Sequence, residues 1–183
     1  MAAAAVLTGV LQLGGQALFT WSYAKYLFSD ETRNAFLERS VIGFAPIPWI
    51  NTHLTSSDRI YFFERNLNYL LDVPAHYGHI AKDALIDLRL KASDSDKFWR
   101  QLNAQGITHL LVSNIPSPVE KAAGPFLGYD LWRPLFARGC MSIVHQVASR
   151  QFASRTLAAD TPKIMTSLVL KLKNGDCPKT LEK

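Results

Sequence analysis

Arg59-Ile60-Tyr61-Phe62-Phe63 and Ile107-Thr108-His109-Leu110-Leu111-Val112-Ser113 are the stretches from which the rest of the chain is read. Both are short runs rich in branched and aromatic side chains, the composition of strands covered on both faces. Between them Phe98, Trp99 and Leu102 fall at helical spacing, predicting a helix over 93–105 with Gly106 placed to stop it. Ala84, Leu85, Leu88 and Ala92 predict another over 82–91. Strand, helices and strand in this order make a parallel βαβ unit the simplest topology, with Ile60, Phe62, Ile107, Leu110 and Val112 in its core.

Downstream the pattern changes. A loop and amphipathic helix around Leu127, Leu131, Trp132, Leu135 and Phe136 precede apolar runs at 141–147, 151–157 and 165–172. No long helix fits between those runs, so they predict antiparallel pairing. The expectation is an α/β fold: a small Rossmann-like, three-layer domain over 58–175 with a mixed, partly antiparallel sheet, and a tail at 176–183. Upstream, Ser29-Asp30-Glu31-Thr32 offers N-cap chemistry for a short helix to about Arg39. Pro46 and Pro48 bracket a turn that opens a second, Trp49 to Leu54, so 29–57 reads as a helical connector.

Residues 1–28 read as a transmembrane helix. No charge occurs from Met1 to Ala24, and such a stretch extends roughly 36 Å, enough for a hydrocarbon core of about 30 Å. Trp21, Tyr23, Lys25 and Tyr26 then have the mixed aromatic and cationic character of a membrane boundary. Ala5, Gly9, Gln12, Gln16 and Thr20 share one face, which predicts a seam against other transmembrane helices. The alternative is a cleaved export signal ending at Ser22-Tyr23-Ala24, although no basic segment precedes its apolar run.

The formal charge of +5 is compatible with an anionic partner, but Lys and Arg are scattered. Nucleic acid is therefore not an expected partner. Cys140 and Cys177 cannot form a zinc site by themselves; they are two thiols or, outside the cytoplasm, one bridge. No cofactor or metal is expected: no glycine-rich phosphate loop follows either strand, and Ser113 and Ser142 lack a nucleophile-elbow motif.

The order of the pieces carries a resemblance. A membrane helix leads to Trp49-Ile50-Asn51, then Arg59-Ile60-Tyr61-Phe62-Phe63, Asn68-Tyr69-Leu70-Leu71-Asp72-Val73-Pro74 and Gly106-Ile107-Thr108-His109-Leu110-Leu111-Val112. This resembles the soluble C-terminal region of bacterial membrane glycosyltransferases of the GT-C superfold, the group similar to dolichyl-phosphate-mannose protein mannosyltransferases. The resemblance implies a hexosyltransferase parent using a polyprenyl-phosphate sugar and a glycan or protein acceptor. It also implies an inner-membrane location with the globular domain on the periplasmic or extracellular side. That family's catalytic acids belong to a multi-helix membrane region absent from this sequence, so no catalytic residue carries over and the chain alone is expected to be inactive.

The candidate binding residues are Glu64, Arg65, Asn68, Tyr69 and Asp72, which follow the first strand at the edge where α/β sheets present ligands. The competing reading is a turn in which Asn and Asp bond to local backbone and Tyr69 packs. His76 and His79, with Asp83, have metal-ligand spacing only if their segment is helical, and Gly78 opposes that. His109 reads either as a core histidine or as a group facing a crevice. Three functions stay open: part of a glycosyltransferase with a structural or acceptor-positioning role, a stand-alone membrane-anchored binding or assembly protein, and an exported soluble enzyme.

Overall fold

The computed structural model describes residues 2–79, 85–116, 129–151, 163–173 and 177. In chain order the elements are α1 (Ala2–Leu27), α2 (Arg33–Ser40), α3 (Ile47–His53), β1 (Ile60–Phe62), β2 (Ala75–Tyr77), α4 (Ser95–Ala104), β3 (His109–Pro116), α5 (Tyr129–Ala137), β4 (Met141–Gln151) and β5 (Lys163–Leu172). A 3-10 helix, Arg65–Tyr69, lies between β1 and β2, and another, Ala92–Asp94, leads into α4.

The strands form one five-stranded sheet in the order β2-β1-β3-β5-β4. β1 is parallel to both β2 and β3, whereas β5 is antiparallel to both β3 and β4, so the sheet is mixed as expected. Strand alternation divides the core into two layers. Tyr61, Leu110, Val112 and Leu170 face Phe98, Trp99 and Leu102 of α4 and Leu131 and Leu135 of α5. Ile60, Phe62, Leu111 and Val169 face Phe44, Leu67, and Ile47 and Ile50 of α3 on the other side. Segment 29–57 is thus more than a connector, since α3 supplies a covering layer of the domain. Burying each such Leu, Ile or Phe contributes about 1.5–3 kcal/mol.

Local chemistry sets the helix ends. Thr32 caps α2, its Oγ1 accepting from the Ala35 N–H at 3.3 Å. Gly106 and Gly139 follow α4 and α5 in the left-handed region, with φ of 66° and 73°.

Three expectations change. Of the helix expected over 82–91, residues 82–84 lie outside the described residues and 85–91 form bends, turns and irregular chain instead. There the Arg89 N–H donates to Asp87 Oδ1 at 3.0 Å and the Asp87 N–H to Gln101 Oε1 at 3.2 Å, side-chain bonds that compete with helical ones. Ile86 and Leu88 reach the core from this irregular chain. Second, Met141–Gln151 is one strand rather than the start of two, and the remainder of the expected strand at 151–157 lies outside the described residues. Third, β2 was not anticipated.

α1 is a 26-residue helix, about 39 Å long, that joins the domain where Tyr26 stacks on Phe36 of α2 at 4.4 Å. Its length matches the expectation, but among the described residues no helix is long and apolar enough to cross a membrane. Gln12, Gln16 and the glycines at 9, 14 and 15 dilute its apolar character.

Cys140 and Cys177 are joined by a disulfide with Cα atoms 5.1 Å apart. Cys177, in the segment read as the tail, therefore packs against the α4–α5 side of the core.

Candidate functional site

After Phe62 the chain folds into the 3-10 helix Arg65–Tyr69, opened by the Leu67 N–H donating to the Glu64 carbonyl at 3.0 Å. Leu67 is fully buried under the sheet, which leaves Arg65, Asn68 and Tyr69 on the outer side. The return segment is pinned from α3. Asn51 Nδ2 donates to the Leu70 carbonyl at 2.8 Å, and the Asp72 N–H donates to Asn51 Oδ1 at 3.0 Å.

β2 then runs beside β1, with Tyr77 opposite Phe62 in register. The Ile60 N–H donates to the Pro74 carbonyl at 2.9 Å and the Gly78 N–H to the Phe62 carbonyl at 2.8 Å. Gly78 is required by close approach, because a Cβ there would overlap the Tyr61 phenol.

These elements bring Arg65, Asn68, Tyr69, Tyr77 and His79 around an open cavity of about 250 Å3 at the carboxyl ends of β1 and β2. That is the edge at which parallel strands present ligands. Of the five residues proposed from sequence, Arg65, Asn68 and Tyr69 line the cavity. Glu64 contributes its carbonyl to the 3-10 turn and Asp72 its N–H to Asn51, and neither lines the cavity. Tyr69 does not pack as the turn reading required, since it is 82% exposed.

Tyr77, His79 and the positioning residue Asn51 were not proposed as binding residues. His79 carried a signal, as half of a possible metal pair, but the extended backbone divides that pair. His76 stacks on Tyr61 at 5.5 Å, on the α4 side of the sheet, whereas Tyr77 packs on Phe62 at 5.7 Å on the other. His79 lies beside Tyr77, 5.8 Å between ring centres. Asp83 lies outside the described residues. Among the described residues no group of three or more His, Cys, Asp and Glu gathers to hold a metal.

His109 takes the core role. It opens β3 at the end of the sheet away from the cavity, buried, with Nδ1 2.8 Å from Thr108 Oγ1 and 3.6 Å from Asp58 Oδ1. Burial lowers its pKa, the Asp58 carboxylate opposes that shift, and Lys171 adds to it. Asp58 itself is held below the usual carboxylate range, first by the Thr55 N–H donating to Oδ2 at 2.9 Å.

The cavity thus offers a guanidinium, an imidazole, an amide and two phenols. Its described lining is rich in hydrogen-bond donors and carries no carboxylate, which suits phosphate or hydroxyl oxygens. Set against family models, curated proteins and solved structures, the chain matches none.

Proposed function

We propose that the chain is the C-terminal, non-cytoplasmic part of a polyprenyl-phosphate-sugar-dependent membrane glycosyltransferase, with a structural or acceptor-positioning role and no transferase activity by itself. The observation that carries this reading is α1. On it Leu13 is 73% exposed, with Val10, Leu11, Trp21 and Leu27 also bare, and Phe28 just past its end is 90% exposed. This surface is not apolar enough for α1 to cross a membrane by itself, and its bare side chains are suited to burial among neighbouring helices. Gln12 and Gln16 lower its hydropathy, as expected of a bundle member that hydrogen-bonds to other helices. The Thr20 hydroxyl is already satisfied, donating to the Gln16 carbonyl at 2.8 Å. The Cys140–Cys177 bridge supports an oxidising compartment, such as the outer side of a bacterial inner membrane.

The test is alkaline carbonate extraction of membranes containing the full-length chain. Retention in the pellet is expected, and quantitative release would end the membrane reading. Sugar transfer from a polyprenyl-phosphate donor by the purified chain would end the claim of inactivity.

A stand-alone anchored binding or assembly protein is the second reading, favoured by a sheet covered on both faces by the chain's own helices. Co-purification separates the two: recovery of a multi-spanning transferase supports the first reading, and its absence supports the second. The exported-enzyme alternative loses one of its supports, because His76 and His79 do not share a face.

A further inference from the structure

We propose that the cavity at the carboxyl edge of β1 and β2 binds a phosphorylated sugar, with the phosphate on Arg65 and His79 and the sugar ring against Tyr69 and Tyr77. The inference rests on the glycosyltransferase reading proposed above for its biological setting and extends it from acceptor positioning to holding the sugar phosphate itself.

The chemistry of the lining selects the ligand class. Arg65 brings a guanidinium, whose planar fork can hold two phosphate oxygens at once. His79, just past β2, adds a second nitrogen donor. With no carboxylate in the described lining, an anion is favoured over an amine or a metal ion. Asn68 can both donate to and accept from a sugar hydroxyl. Tyr69, held outward on a short 3-10 helix, offers a bare ring face. Tyr77 offers a second ring, fixed by its packing on Phe62.

Size narrows the class further. A volume of about 250 Å3 falls below the roughly 300 Å3 at which pockets for drug-sized ligands begin. One sugar ring with its phosphate suits that space, and a longer group attached to the phosphate would extend from the open side. The walls are also preformed. Asn51 ties down the segment between the 3-10 helix and β2, and buried Leu67 fixes the helix from beneath. A lipid-linked glycosyl phosphate and a free sugar phosphate share this chemistry.

The experiment is calorimetric titration of the full chain in detergent micelles with glucose 1-phosphate, glucose, inorganic phosphate and a short-chain polyprenyl-phosphate glucose. Saturable binding of the phosphorylated sugars is expected, tighter than that of glucose or phosphate alone. Arg65→Gln and Tyr69→Ala change exposed side chains, so circular dichroism should show the fold unchanged. Arg65→Gln should weaken binding at least about tenfold, the loss expected for a charged hydrogen bond. Tyr69→Ala should weaken it several-fold, while Arg100→Gln on α4 should leave it unaltered.

Tighter binding of the polyprenyl compound supports a lipid-linked ligand; equal or weaker binding supports a free one. The proposal is overturned if neither phosphorylated sugar saturates, or if Arg65→Gln and Tyr69→Ala bind as wild type does. Equal loss on Arg100→Gln would also overturn it, by showing non-specific charge attraction. Carbonate extraction reports separately on α1. A retained chain that binds neither sugar sinks this site alone, and a released chain that binds them sinks only the membrane reading.

Discussion

β1 has three residues and β4 has eleven, yet the shorter strand is the better buried. Ile60, Tyr61 and Phe62 are all inaccessible to solvent, because β1 is flanked by strands on both edges and covered on both faces. β4 lies at the sheet edge, with Ile143 42% exposed, and pairs with β5 along ten registered positions from Met141↔Leu172 to Gln151↔Lys163. Side-chain packing therefore dominates in β1, whereas β4 adds a long backbone ladder and the adjacent Cys140 bridge to the packing of buried β5. The difference explains where a ligand site can form. A short, tightly packed strand ends abruptly, and the chain leaving it must turn at the sheet edge, exposing Arg65, Asn68 and Tyr69 while Leu67 stays inside.

Substitution on the two halves should separate these modes of stabilisation. Ile60, fully buried on β1 between β2 and β3, should lose about 2–5 kcal/mol on truncation to Ala, by lost transfer energy plus a residual cavity. Ile143→Ala on β4 should cost much less, since part of that side chain is already in water. Urea denaturation of both variants checks the comparison. Equal losses would show that packing controls both halves alike.

The same contrast explains what sequence could disclose. The central strands were legible because burial on both faces leaves continuous apolar runs at Ile60-Tyr61-Phe62 and Leu110-Leu111-Val112. β2 was not, because Ala75-His76-Tyr77 is three residues long and its pairing with β1 is a tertiary choice. The segment around Leu85 and Leu88 had helical spacing, but the Asp87 side chain redirected its backbone. Arg65, Asn68 and Tyr69 followed from their position after a strand. Tyr77 and His79 join them only through β2 registry, and Asn51 acts on the site across 19 and 21 residues of sequence.

Asn51 offers the next test. Truncation to Ala removes a donor and an acceptor together, leaving the Leu70 carbonyl and Asp72 N–H without that partner. The expected cost is about 1–3 kcal/mol. The effect should concentrate on the parallel half, with faster amide exchange over 65–72 and unchanged exchange in β4 and β5. Uniform acceleration through the sheet would mean that the halves do not differ in the way described.

The smallest expected effect lies at the seam. His109 sits on β3, the strand shared by both halves, opposite Ile60 on one side and Lys171 on the other. Burial lowers its pKa, Asp58 before β1 partly restores it, and Lys171 of β5 lowers it again. A folded-state value below the unfolded one, about 6.5, means that between the two the unfolded chain binds more protons. The associated stability is present above about pH 6.5 and is lost as pH falls through the folded value. His145 adds a contribution of the same sign, lowered first by burial and then by His53. Asp58, with its pKa lowered, contributes stability that disappears only at pH below the ordinary carboxylate value near 3.8. Denaturation midpoints from pH 7.5 down to 5.5 should therefore fall for wild type and fall less steeply for His109→Gln. The slope is the deciding quantity, because the substitution can shift every midpoint by altering packing. Identical slopes would mean that protonating His109 costs the fold nothing and that Asp58 fully compensates its burial.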